Sequence, residues 1–240
     1  MTDRHEEHRV SARADLDDVW RLLTTAEGLT AWFGTESSID LRLGGGVEIG
    51  WGGDERIVGE IGALEAPHRL RVAYVEHGEE VGAEEWLLSH DDGVTHVRLI
   101  HSMPDPGVDD WEGFYGDYRR GWRLFLTSLR FAAELGGDPR RAVDSRYVPA
   151  PAGREATWAS CAAELAANPP GADHVELVAD RPHQLVLADE TSTVLFDLEG
   201  GGEGLVCYVQ VASHGSERDD EQAARWRSEV LSRLTGAVPG

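Results

Sequence analysis

From Ser38 to Met103 apolar and polar residues alternate in short runs, the period expected of half-buried strands. The alternation predicts strands over Ser38–Leu43, Val47–Trp51, Ile57–Leu64, Leu70–Val75, Glu84–Ser89 and Val94–Met103. Between them lie Gly44-Gly45-Gly46, Gly52-Gly53-Asp54, Ala66-Pro67-His68, the Glu76–Gly82 stretch and Asp91-Asp92-Gly93. Such short connections join neighbours head to tail and predict an antiparallel meander. On either side the period lengthens to that of a helix. Leu16, Val19, Trp20, Leu22 and Leu23 predict a helix over Asp15–Leu23, capped by Ser11 or Asp15, after a brief edge segment around Val10. Leu29, Trp32 and Phe33 predict a second short helix over Gly28–Phe33. Tyr118, Trp122, Phe125, Leu126, Leu129 and Ala133 recur at intervals of three and four, which predicts a long amphipathic helix over Asp117–Leu135. Gly136-Gly137-Asp138-Pro139 ends it.

One long striped helix after a six-stranded meander can bury its stripe only against the concave face of that sheet. The expected fold class is therefore α+β, a curved antiparallel sheet around one long helix, with a pocket in the gap between them. Prolines and small residues in Val148-Pro149-Ala150-Pro151-Ala152-Gly153 suggest a boundary, giving a domain over 1–136, a linker over 137–154 and a second piece over 155–240. That second piece replays part of the first. Pro67-His68-Arg69-Leu70 lines up with Pro182-His183-Gln184-Leu185, Val97-Arg98-Leu99 with Val209-Gln210-Val211, and Gly121-Trp122-Arg123 with Arg225-Trp226-Arg227. It reads as a truncated copy with a helix over Ala156–Ala167, strands near 174–178, 184–188, 192–198 and 204–212, and a helix near 219–235. A half-domain leaves a sheet edge to be covered, by the first domain or by a second copy of the chain in a homodimer.

A family resemblance rests on an ordered set of short motifs. These are Val19-Trp20 with Leu22-Leu23-Thr24, Leu29-x-x-Trp32-Phe33-Gly34, Asp40-Leu41-Arg42-x-Gly44-Gly45, Gly59-x-Ile61 with Pro67-His68-Arg69-Leu70, and Gly121-Trp122-x-x-Phe125-Leu126-x-x-Leu129. Together they make residues 10–135 resemble the START-like superfamily (SRPBCC, Bet v 1-like), in its activator of heat-shock-protein-90 ATPase-like branch. The resemblance implies a helix-grip fold with a hydrophobic cavity under the long helix. Members of the superfamily bind lipids, hormones or polyketides, cyclise aromatic polyketides, or assist a chaperone ATPase, so the fold does not choose the function.

Composition narrows the partners. The formal charge of −22 repels nucleic-acid backbones and anionic membrane surfaces. All the positive charge is arginine, as the sequence holds no lysine. No run of eighteen apolar residues spans a bilayer, and Met1–Arg9 is charged, which makes the cytoplasm the expected compartment. Cys161 and Cys207 are distant from each other and lack neighbours at metal-ligand spacing, so both read as buried thiols and no metal or other cofactor is expected. His5-Glu6-Glu7-His8 has the wrong spacing for a zinc-protease helix and reads as a frayed terminus. Gly44-Gly45-Gly46 lacks the Lys-Ser/Thr ending of a phosphate loop and reads as a hairpin turn, and no Gly-x-Ser-x-Gly elbow occurs.

The candidate ligand-binding residues are aromatic: Trp32, Phe33, Trp51, Trp86, Trp111, Phe114, Tyr118, Trp122 and Phe125. They offer area and stacking to a flat apolar ligand, and most of them also fill the core. His101 joins them because it shares a strand face with Val97 and Leu99. It is the one candidate general acid or base, against the blander reading of a strand-end histidine hydrogen-bonded to a loop. Glu84, Glu85, Asp109 and Asp110 read as solvated. The leading expectation is non-catalytic binding of a small hydrophobic molecule. The alternatives are a polyketide cyclase or aromatase using His101 with Tyr118 or Arg98, and a chaperone-ATPase-activator-like interaction protein.

Overall fold

The computed structural model describes residues 4–51, 56–76, 79–103, 111–136, 140–149, 153–168, 184–188, 190–201, 204–214, 221, 224–229 and 232. They divide into two units, Met1–Gly136 and Gly137–Gly240. The first is an α+β helix-grip fold. Its elements run β1 (Arg4–Ala12), α1 (Leu16–Thr24), α2 (Ala26–Trp32), β2 (Glu36–Ile39), β3 (Gly46–Gly50), β4 (Arg56–Glu65), β5 (Arg69–Glu76), β6 (Glu79–Asp91), β7 (Val94–Met103) and α3 (Trp111–Leu135).

Seven antiparallel strands lie in the order β1-β7-β6-β5-β4-β3-β2. The register slips between Ile61 and Ala63 on β4 and between Tyr74 and Val75 on β5. Such bulges bend and twist a sheet, which brings its two ends round a central filling. That filling is Val19, Leu22, Leu23, Leu29, Trp32 and Phe33 from the two short helices, and Trp122, Leu126 and Leu129 from α3, all buried against the inward residues of the strands.

Local chemistry fixes the two short helices. Thr25 stands between them: its Oγ1 accepts from the Gly28 amide at 2.9 Å as the N-cap of α2 and donates to the Arg21 carbonyl at the end of α1. Asp15 is the N-cap of α1 by backbone position, without a side-chain capping bond. The Trp32 indole Nε1 then donates to the Leu22 carbonyl at 3.0 Å and ties α2 back to α1.

Three expectations are corrected in this unit. Residues 5–8 are not frayed. They lie in β1, which pairs with β7 from Arg4↔Met103 to Ala12↔Thr95 and buries His8. The meander thus gains a seventh strand, which the sequence masks by turning Glu6 and His8 inward. The strand expected over Ser38–Leu43 ends at Ile39. The Arg42 amide bonds the Asp40 carbonyl and the Gly45 amide the Arg42 carbonyl, so the chain turns and leaves Leu41 and Leu43 exposed. The long helix begins at Trp111, not Asp117.

The second unit holds β8 (Arg140–Pro149), α4 (Arg154–Ala167), β9 (Gln184–Ala188), β10 (Ser192–Gly201) and β11 (Gly204–Ser213), with a sheet in the order β8-β11-β10-β9. Leu195, Phe196, Leu198, Leu205 and Val209 are fully buried, and Trp158 of α4 stacks on Phe196 at 6.1 Å. The linker expected over 137–154 is corrected: residues 140–149 pair along β11 from Arg140↔Ser213 to Pro149↔Gly204. Charged residues along an edge strand obscure its alternation, and Pro149 sits at its end, where a missing N–H costs the ladder little. Residues 174–178 lie outside the described residues. In the region expected as a helix near 219–235, the described residues 221, 224–229 and 232 are helical.

Candidate functional site

Period two decides which side chains of the sheet face the helices. On β7 the inward set is Thr95, Val97, Leu99 and His101, on β6 Glu84, Trp86 and Leu88, and on β1 His8 and Ala12, all buried. Rings from the strands, α2 and α3 meet in the interior. Phe33 stacks on Trp32 at 4.9 Å and on Trp122 at 5.3 Å, and receives Phe125 and Trp51 edge-on at 4.7 and 5.2 Å. Trp86 meets Trp32 edge-on at 5.7 Å and Trp122 at 5.8 Å. Offset-stacked and edge-on pairs at these distances stabilise beyond their buried area.

Six of the aromatic candidates, Trp32, Phe33, Trp51, Trp86, Trp122 and Phe125, are therefore one cluster, and the His101 ring lies 5.5 Å from Trp122. Trp111, Phe114 and Tyr118 lie outside the residues whose side chains are described.

Beside the cluster lies a cavity of about 20 Å³, bounded by Leu23, Leu29, Trp32 and Phe33 from the helices and by Ile39, Val47, Ile49, Leu70, Val72, Tyr74, Glu84 and Trp86 from the sheet. That is room for about one water molecule. The wall is apolar except at one place. Glu84, expected to be solvated, is instead buried, and its carboxyl receives hydrogen bonds from the side chains of Tyr74 and Trp86. The correction has a simple cause: Glu84 has the same parity as Trp86 and Leu88, so its strand turns it inward with them. That parity was the signal available in the sequence.

Two titratable groups thus face each other across the ladder, since Glu84 on β6 stands opposite His101 on β7, and Glu6 on β1 stands on the far side of His101. Burial pushes the Glu84 carboxyl up to about 7, against the two hydrogen bonds that favour its charged form. Burial and the neighbouring His8 push the His101 imidazole down to about 4, against the pull of Glu6. Near neutrality His101 is uncharged, and Glu84 is close to half-protonated.

These shifts oppose each other in stability. Folded Glu84 keeps its proton up to about pH 7, whereas the unfolded chain releases it near 4.5, so this group's contribution is full below 4.5 and lost as pH rises to 7. Folded His101 stays neutral down to about 4, whereas the unfolded chain takes up a proton near 6.5, so its contribution is lost as pH falls from 6.5 to 4. Each amounts to on the order of 3 kcal/mol. Between pH 4.5 and 6.5 the two contributions have opposite slopes. Glu84→Gln should then be more stable at pH 6.5 than at 4.5, and His101→Gln the reverse, in urea denaturation at each pH. Slopes of the same sign in both variants would contradict the assignment.

Among the described residues no group of three or more His, Cys, Asp or Glu could hold a metal ion, and no helix is long and apolar enough to cross a membrane.

Residues 13–134, half of the chain, match the family model described as activator of Hsp90 ATPase homolog 1-like protein. Among solved structures, the chain is similar to the Aha1 dimer from Colwellia psychrerythraea at 20% identity, covering 55% of this chain and 98% of that one, with a TM-score of 0.49. It is similar to CalU16 from Micromonospora echinospora at 26% identity, covering 54% and 73%, with a TM-score of 0.44. DynU16, from the dynemicin biosynthetic locus, aligns over 98% of this chain and 95% of its own at 19% identity, with a TM-score of 0.47. No curated protein matches the chain.

Proposed function

The chain belongs to the activator of Hsp90 ATPase homolog 1-like family, and from that premise we propose that its first unit binds a small, largely apolar molecule between the sheet and the helices. The observation that carries this reading is the composition of the cavity wall: aromatic and aliphatic side chains, with a single buried carboxyl. Apolar walls with few, fixed polar groups are what small-molecule sites are made of. A folded core has no need of a carboxyl there, because burying one costs free energy that a leucine would not.

The present cavity is far smaller than a ligand. Binding therefore enlarges it. His101, neutral and packed beside Trp122, serves on this reading as part of the wall.

Thermal unfolding of the whole protein in the presence of a library of small aromatic and alicyclic compounds tests the proposal. A ligand held at a hundred times its dissociation constant adds about 2.7 kcal/mol, a rise of several degrees. Val72→Ile, whose added methylene takes up the present cavity, should weaken the rise while leaving the protein folded. No rise with any compound, together with unchanged tryptophan fluorescence, would exclude the reading.

A further inference from the structure

Glu84 is the polar group of the cavity wall that the packing of the core does not call for, and its surroundings define what it could recognise. Tyr74 on β5 and Trp86 on β6 both direct hydrogen-bond donors at the carboxyl, an arrangement that suits a carboxylate better than an acid. What the site lacks is a positive charge. The wall residues supplied by α1 and α2 are Leu23, Leu29, Trp32 and Phe33, and those supplied by β2, β3 and β5 add only Tyr74 as a titratable group. Across the ladder on β7 stands His101, held uncharged by burial and by His8, with Glu6 beyond it. Among the described residues, no arginine takes part in an interaction with Glu84, and the protein has no lysine.

We propose that the molecule bound by the first unit is an apolar amine, whose protonated nitrogen pairs with Glu84 inside the cavity while its hydrocarbon body packs among Trp32, Phe33 and Trp86. The inference rests on the binding function proposed above and specifies its ligand. The cation completes a site in which two donors are already aimed at the carboxylate, so the carboxyl group and the amine neutralise each other where neither could remain charged alone. A neutral alcohol of the same shape gains only one ordinary hydrogen bond, and a carboxylic acid meets a group of its own sign. The proton balance follows from the same geometry: the amine enters charged, and Glu84 gives up its proton to solvent. Affinity for the amine therefore rises with pH across the titration of Glu84, while affinity for the alcohol stays level. The groups that face Glu84 and enter this balance are Tyr74, His101 with His8 behind it, and Glu6.

Matched sets of arylmethylamines, the corresponding alcohols and the corresponding carboxylic acids, titrated into the whole protein with tryptophan fluorescence as readout, test the inference. In the wild type at pH 7 the amine should bind at least ten-fold more tightly than its alcohol, and the acid most weakly. Between pH 5.5 and pH 8 the amine's affinity should rise about ten-fold or more with no change for the alcohol. Glu84→Gln should remove the preference for amines and keep alcohol binding. Tyr74→Phe, which withdraws one donor from the carboxylate, should weaken amine binding several-fold and move the pH dependence to higher pH. Equal affinity of amine and alcohol in the wild type, or a preference that survives in Glu84→Gln, would overturn the amine while leaving ligand binding in place. If alcohols, acids and amines all fail to bind, the binding function itself falls, and the amine with it.

Discussion

Trp32→Ala is expected to remove about 5 kcal/mol of stability from the first unit, and Trp32→Phe about 2 kcal/mol. Trp32 is completely buried, stacks on Phe33 and meets Trp86 edge-on. Truncation to alanine removes the ring and leaves a void that α2 and the sheet are too well fixed to fill. It also strips the Leu22 carbonyl of the indole N–H that it accepts. Phenylalanine restores most of the volume but not the donor, so the gap between the two variants separates packing from hydrogen bonding. Urea denaturation followed by far-UV circular dichroism measures both. A cost below 2 kcal/mol for alanine would mean that the ring cluster is not what holds α2 to the sheet. Since whole domains are stable by only about 5–15 kcal/mol, the alanine variant should lie near the edge of folding.

Gly28→Ala is expected to cost about 2–4 kcal/mol, the opposite of the usual gain from replacing glycine in a helix. A Cβ at this position would lie 2.3 Å from the Arg21 carbonyl oxygen and 2.6 Å from the Leu22 Cα, both backbone atoms of α1. Neither can step aside without moving the helix, and moving it also disturbs the Thr25 cap and the Trp32 bond beside it. Gly46→Ala is the control, because an added methyl there meets nothing within 4 Å and should change stability by no more than about 0.5 kcal/mol. If Gly28→Ala were as mild as Gly46→Ala, the close approach of α1 and α2 would not be a constraint.

Much of the first unit can be read from hydrophobic period alone, and the exceptions share a cause. β7 coincides with the run Val94–Met103 because its inward residues Val97 and Leu99 are apolar and its outward ones His96 and Arg98 are not. β1 is legible only in part, as the edge segment around Val10, because the inward positions of its first half include Glu6 and His8; its pairing with β7 shows the rest. Leu41 and Leu43 err the other way, as alternating apolar residues on a turn whose conformation is set by Asp40 and the following glycines. The site follows this pattern. The parity that groups His101 with Val97 and Leu99 also groups Glu84 with Trp86 and Leu88, but a glutamate followed by a second glutamate carries the prior of a solvated residue. Its hydrogen-bond partner Tyr74 lies a strand away, which no local window contains.

The pairing of β1 with β7 carries a consequence for how the chain is made. Among the described residues β1 pairs with β7, which follows it some 90 residues later in the chain, between Arg4↔Met103 and Ala12↔Thr95. Until then it is an unpaired edge, and the helix that packs over it has not been synthesised. Closure of that loop costs chain entropy before it returns any hydrogen bonds, which places the unit among slow, high-contact-order folders. During that interval the nascent chain depends on its charge for solubility, and the acidic surplus of the sequence is well suited to keeping unfinished copies apart.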